Sequence, residues 1–209
     1  GENVVMLASS QDHKRIFEKD EGPNTGGMGA YSPASIVTKT VLKKVKEEVY
    51  DRTLAELKKR GITYKGVLYA GLMIDHGQPS VVEFNCRFGD PETQAVLARW
   101  EGDMLPAING VIDGTLSEDL ISWKDQHSVC VVMVAGGYPG DYAKGDEIET
   151  LDTANAVEDT VVFQAGTAVD GEKVVTAGGR VLGITSLGKD LPDALSKAGT
   201  NYEPGALAS

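Results

Sequence analysis

The stretch VVEFNCRFGDPETQ, from Val81 to Gln94, decides how the chain is read. Side chains alternate faces along a strand, so Val82, Phe84 and Cys86 are expected on one face and Glu83, Asn85 and Arg87 on the other. A carboxylate and an amide two residues apart present hard oxygens about 7 Å apart along the strand, a spacing that can embrace a hydrated Mg2+ and its bound phosphate oxygens. Arg87 adds a planar fork of donors suited to a phosphate or a carboxylate. The same row also fits the polar face of an edge strand with Arg87 paired to Glu83, an ordinary arrangement worth little energy. The preceding run favours the metal reading. GVLYAGLMID (66–75) is apolar on both faces and joins SVVEFNC (80–86) through the turn HGQP, so the second strand of this hairpin is expected to be largely buried, where charge needs a metal or a ligand.

Outward from the hairpin, Val37, Val41, Leu42, Val45 and Val49 fall on one face at helical spacing. They predict one long amphipathic helix capped at Ser35 and stopped at Gly61, with an apolar stripe that drifts towards Leu54 and Leu57. Asp90 reads as the cap of a helix starting at Pro91, in preference to a third metal ligand, and Asp103 opens another helix carrying Leu105, Ile108 and Ile112. NVVMLASS (3–10) is strand-like. The segment from Ser10 to Pro33 is too rich in Gly and Pro for regular structure and too long for an idle connection, which predicts a functional loop. Within it, GPNTGGMGAYSP (22–33) lacks the lysine of a phosphate-binding P-loop and is no dinucleotide fingerprint. Its glycines alone fit a flexible turn. With Asn24 and Thr25 beside Gly26 and Gly27, backbone N–H groups left free by such a loop could close over a small anionic substrate.

From Ser128 onward the chain changes to short β-branched runs bounded by Gly-containing turns, with a short helix near Ala194 to Ala198. The expected division is an α+β domain over 1–114, a linker over 115–127, a small β-rich domain over 128–199 and a tail over 200–209. His13, His76 and His127 lack metal-ligand spacing, so zinc is not expected; His13 reads as a structural hydrogen-bonding residue, and Lys43, Lys44 and Lys46 as a solvated helix face. The 209 residues are 41% hydrophobic and 24% charged, enough to bury a core, and the net charge of −11 argues against nucleic acid or an anionic membrane as partner. Two cysteines, Cys86 and Cys130, suit reduced thiols. Without a span-length apolar run or a leader, the sequence points to the cytoplasm and to small-molecule partners.

EFNCRFGDPE, SQDHKR, GPNTGGMGAYSP and LYAGLMID closely resemble the glycinamide ribonucleotide synthetases (phosphoribosylamine–glycine ligases) of the ATP-grasp superfamily. VVMVAGGYPGDYAKGD, VFQAGTA and VVTAGGRVLGITSLG resemble the C-terminal domain of that family, so the resemblance runs from about Val4 to Ala198. It implies the second half of an ATP-grasp domain followed by a small β-rich domain. It also implies the chemistry: ATP phosphorylates glycine to glycyl phosphate, and 5-phosphoribosylamine then displaces phosphate in a step of de novo purine biosynthesis. On this resemblance Glu83 and Asn85 hold Mg2+ or Mn2+, and Arg87 acts in catalysis by steadying the transferring phosphate or the glycine carboxylate. Asp12, Lys14, Asn24, Thr25, Gly26 and Gly27 bind glycine or phosphoribosylamine. The N-terminal domain and the first ATP-binding part of the family pattern are not found, so the chain reads as a fragment, inactive without that missing N-terminal half. A non-catalytic binding module, or a related carboxylate–amine ligase with another small substrate, are the alternatives.

Overall fold

The computed structural model describes residues 3–17 and 21–200, without the side chain of Thr200, so the expected tail falls almost wholly outside the described residues. The chain forms two compact units, each assembled from separated stretches. One takes its described residues from 3–9, 33–89 and 100–124; the other takes them from 10–17, 21–32, 90–99 and 125–200.

In the first unit, Thr38 rather than Ser35 caps α1 (Lys39–Lys44), its hydroxyl accepting from Val41 N at 3.2 Å. Ser35 lies in a turn ahead of the helix. The helix runs on through a π-helical stretch, Val45–Tyr50, into α2 (Asp51–Lys59), and Gly61, at φ +71°, follows its end. Residues spaced by four drift about 40° per step around an α-helix, and the wider π turn offsets that drift. Val41, Val45 and Val49 therefore stay buried together against Ala70, Leu72 and Ile74.

Those three belong to β3 (Tyr69–Asp75), which pairs antiparallel with β4 (Gln78–Asn85) as expected. His76 and Gly77, at φ 46° and 74°, form the tight turn whose twist suits a hairpin, and Lys44 Nζ donates to Gly77 O at 3.1 Å. β4, however, is mostly exposed, not buried: Val82 is 68% and Phe84 42% accessible. The two strands form a sheet of their own, the helix covers residues of β3, and a bulge between Gly71 and Leu72 leaves Val82 without a ladder partner. Residues 3–10 form no strand. The Asp103 carboxylate accepts from Leu105 N at 2.9 Å at the start of α4 (Leu105–Asp113), whose Leu105, Ile108 and Ile112 are exposed.

The second unit is built on a five-stranded antiparallel sheet of β1 (Gln11–Phe17), β2 (Glu21–Ser32), β7 (His127–Val134), β11 (Arg180–Gly188) and β8 (Thr160–Gln164), in that spatial order. Strands β5 (Trp100–Glu101) and β6 (Ser122–Trp123) pair in the first unit; β9 (Thr167–Asp170) and β10 (Lys173–Thr176) pair in the second. The segment expected as a loop, 10–33, is thus largely a hairpin: its glycines are accommodated by register shifts in β1–β2, and its far end joins the main sheet. That is also why residues 10–17 and 21–32 group with the later strands in the second unit.

α3 (Glu92–Ala98) packs on β2, β7 and β11, tied down where Arg99 Nη1 donates to Ser32 Oγ at 3.0 Å and Arg99 Nε to Gln126 O. Asp90 is not its cap, because the helix starts later and the Asp90 carboxylate accepts from Gln94 and Arg180 instead. The short helix α5 (Leu151–Asn155) packs on β8. The expected final helix is α6 (Leu191–Thr200), which buries Ala194 and Ala198 in a core with Val129, Val181, Leu182 and Ile184.

One contact controls how β2 enters the sheet. A Cβ on Gly29 would stand 2.8 Å from Cys130 O, closer than real side chains come to backbone. Gly29→Ala is expected to destabilise the protein by about 1–3 kcal/mol, the range of overpacked sites. Chemical denaturation gives that figure, and amide exchange should rise first at Ala30 to Ser32. Unchanged stability would show that the ladder tolerates the methyl group.

Candidate functional site

The hairpin of the first unit carries the acid and the amide. Glu83 stands opposite Gly71, and Asn85 opposite Tyr69, so both share one face of β4. Gly71 leaves room for the acid: a Cβ there would lie 3.0 Å from Glu83 Cγ and 3.6 Å from its Oε1. Glu83 is exposed and Asn85 half-buried. A carboxylate and an amide oxygen on one accessible face are the donors a hard divalent cation takes while keeping most of its waters. Among the described residues no group of three or more His, Cys, Asp or Glu gathers to hold a metal. Arg87 departs from the expected row. The strand ends at Asn85, and the Arg87 guanidinium is exposed beyond it, donating to Phe88 O at 2.8 Å.

The second unit carries the other candidates along β1 and β2. Asp12 lies on β1 with Lys14 Nζ 3.8 Å from its Oδ2, and its Oδ1 is buried with no hydrogen-bond partner. Burial, first, and then the negative charge of Glu92 push the Asp12 carboxyl up to about 6, against the opposing pull of Lys14 and Arg180. Glu92 is itself only 7% accessible. A buried acceptor oxygen lacking a partner is suited to an N–H or O–H donor on a small ligand.

Gly26 and Gly27 do not offer free N–H groups, contrary to the expectation from the glycine-rich sequence. Gly26 N donates to the Tyr138 hydroxyl at 3.2 Å and Gly27 N to Thr25 Oγ1 at 3.0 Å, while Thr25 Oγ1 donates to Lys14 O at 2.9 Å. What Gly27 provides is close approach: at φ +117°, a Cβ would meet Pro91 Cδ at 2.5 Å and Asp12 Oδ1 at 3.2 Å. Asn24, paired with Arg15 in the ladder, is exposed. His13 stacks on Tyr31 with ring centroids 5.9 Å apart.

Three residues in this cluster escaped the sequence reading: Glu92, Tyr138 and Arg180. Arg180 had a visible signal, a lone cation entering the otherwise uncharged strand RVLGITSLG. Glu92 stands in the first turn of α3, where an acid is ordinary.

The Asp12 carboxyl should titrate near pH 6 in a side-chain carbon NMR experiment, and Glu92→Gln should lower its midpoint by removing a like charge. Because the folded value is raised, Asp12 favours the folded state fully below the unfolded value of 3.8 and loses that contribution as pH rises through about 6. Asp12→Asn should therefore flatten the fall in stability across that window. A midpoint at the ordinary carboxylate value would refute the buried reading of this side chain.

Two family profiles match the chain: the phosphoribosylglycinamide synthetase ATP-grasp (A) domain over residues 1–93, and the phosphoribosylglycinamide synthetase C domain over residues 128–207. The phosphoribosylamine–glycine ligase of Vibrio cholerae is 51% identical over 199 residues, covering 95% of this chain and 46% of that protein. That of Caldanaerobacter subterraneus is 46% identical over 194 residues, covering 93% and 46%. The crystal structure of the Thermotoga maritima phosphoribosylamine–glycine ligase superposes with a TM-score of 0.83 at 36% identity, covering 95% of this chain and 48% of that one. An N5-carboxyaminoimidazole ribonucleotide synthetase solved as its ADP complex shares the fold alone, with a TM-score of 0.58 at 16% identity. The chain spans about half the length of the curated relatives it matches. With matches to both domain profiles and identity across nearly its whole length, the chain belongs to the phosphoribosylglycinamide synthetase family, carrying part of its ATP-grasp domain together with its C domain.

Proposed function

We propose that this chain is part of an ATP-dependent carboxylate–amine ligase that joins glycine to 5-phosphoribosylamine, in the cytoplasm, as a step of de novo purine biosynthesis. The observation that carries the reading is the 51% identity to a phosphoribosylamine–glycine ligase over 95% of the chain. Its working partners are small molecules and the remaining half of the ligase. The acidic balance, net −11, gives no reason to add nucleic acid or an anionic membrane.

The reaction has two steps. A glycine carboxylate oxygen takes the γ-phosphoryl group of ATP, releasing ADP and leaving glycyl phosphate. The amine nitrogen of phosphoribosylamine then attacks the acyl carbon; the C–N bond forms, phosphate departs with the former acyl C–O electron pair, and the amine gives up a proton. Such chemistry depends on alignment and charge neutralisation more than on a protein acid or base. Glu83 and Asn85 would hold Mg2+ or Mn2+ through their oxygens, and when bound the cation offsets the charge crowded between donor and acceptor. Arg87 would add a positive charge past the end of β4, towards the transferring phosphate or the glycine carboxylate.

The Asp12 Oδ1, buried and without a partner, would accept from the amino group of glycine or phosphoribosylamine, and Lys14 would draw in the anionic end of the same molecule. Gly26 and Gly27 would contribute by letting Arg180, Pro91 and Asp12 pack close to their backbone, and Asn24 and Thr25 would form a polar border.

In a full-length ligase in which this chain supplies the matched residues, Glu83→Gln should leave the fold intact and cut Mg2+-dependent ADP release by at least ~100-fold, in line with several kcal/mol of transition-state charge stabilisation. Gly71→Ala, which pushes on Glu83 Cγ, should raise the Mg2+ concentration needed for half-maximal rate. Near-normal turnover by a folded Glu83→Gln protein would remove the ligand assignment. Failure of the unsubstituted ligase to release ADP on addition of glycine and phosphoribosylamine would remove the function.

A further inference from the structure

We propose that Arg180 is a positioning residue for the amine-bearing substrate: its guanidinium fixes the Gly26–Gly27 backbone and Asp90, and thereby the place of Asp12. The proposal rests on the functional reading above for the identity of the substrate.

Arg180 Nη1 donates to Gly26 O at 2.9 Å, to Asp90 O at 3.1 Å and, more distantly, to Gly27 O at 3.4 Å, while Nη2 donates to Asp90 Oδ2 at 2.9 Å. One planar cation therefore joins two segments that meet nowhere near each other in sequence, the β2 backbone and the residue just ahead of α3. Its own base is held: Arg180 pairs with Val134 across β7, and Arg180 O accepts from Gly166 N at 2.9 Å. A quarter of the Arg180 side chain and about half of the Asp90 side chain are accessible, so the fixed geometry of several hydrogen bonds, more than the charge pair, holds the two together.

The glycines fit the same reading. A Cβ on Gly26 would lie 3.2 Å from Arg180 Cζ and Nε, so the absence of a side chain is what lets the guanidinium settle against the peptide. Gly27 touches both ends of the arrangement, with Asp90 O and Asp12 Oδ1 each within about 3.3 Å of where its Cβ would be. Tyr138 and Thr25 hold the N–H groups of the two glycines and Arg180 holds their carbonyls, so the segment beside Asp12 is pinned on both edges. Losing Arg180 releases the carbonyl edge and the Asp90 carboxylate together. Lysine keeps the charge but not the planar fork, so it can meet one acceptor where arginine meets several.

The test compares Arg180→Met, Arg180→Lys and Gly26→Ala in two settings. In this 209-residue chain, amide exchange should rise at Gly26 and Gly27 in Arg180→Met, less in Arg180→Lys, and at Gly27 in Gly26→Ala. In the full-length ligase, Arg180→Met should raise KM for glycine or phosphoribosylamine about tenfold or more while KM for ATP stays within about twofold, with part of the loss recovered in Arg180→Lys. Unchanged exchange at both glycines would overturn the proposal whatever the ligase does. So would unchanged KM values in a folded Arg180→Met enzyme, or a loss spread equally over all substrates that tracks a lowered melting temperature and is not recovered by lysine. The unsubstituted ligase, assayed alongside, separates the two claims: its own glycine-dependent ADP release tests the functional reading, and the variants, measured against it and by exchange, test Arg180.

Discussion

The ladder between β2 and β7 is the constraint on which the second unit depends. Four consecutive pairings, Gly29 with Val131 through Ser32 with Ser128, fasten a glycine-rich hairpin to the centre of a sheet whose other strands come from the far end of the chain. The pairing requires the backbones to approach at Gly29 more closely than any side chain would allow. Once β2 is held there, the opposite end of the same strand carries Thr25, Gly26 and Gly27 to β11, and β1 carries Asp12 beside them. Binding candidates that are local in sequence thus owe their geometry to a distant strand.

The first unit solves a different problem with simpler means. A four-residue repeat of valines would wind off the face of an α-helix, and the π-helical stretch keeps Val41, Val45 and Val49 aligned over β3. That leaves the face bearing Glu83, Asn85, Gly71 and Tyr69 uncovered by those valines. The apolar work and the polar work of the hairpin are divided between its two faces, and Gly71 marks the point where the acid folds back over its partner strand.

Local patterns were legible where local physics governs. The β3–β4 hairpin, the stop at Gly61, the help of Asp103 at α4 and the final helix all follow from turn residues, caps and periodicity within a few positions. The same rules misplaced the segment from Ser10 to Pro33. Glycine and proline weaken a strand on propensity alone, and nothing within the segment reveals that β7 is waiting to pair with it. Burial of β4 was misjudged for a related reason: an apolar neighbour strand signals a core only if something packs on both faces. Glu83 and Asn85 fell on one face as alternation requires, whereas Arg87 lay two residues beyond the end of the strand that the alternation assumed. Arg180 could not be connected to Gly26 by any rule of spacing, since the link exists only in three dimensions.

The interleaving of the two units sets the order in which the protein can fold as it is made. β1 and β2 leave the ribosome about 100 residues ahead of β7, and still further ahead of β11. At about 5–20 residues per second, the hairpin spends about 5 to 20 s with its joining edge unpaired. A strand edge exposed for that long invites pairing with a neighbouring nascent chain, and the long separation in sequence makes the correct closure slow. The glycines and proline that make β2 a poor strand by itself are in this light protective: they keep it from pairing strongly with anything until the shaped edge at Val129 to Val131 arrives.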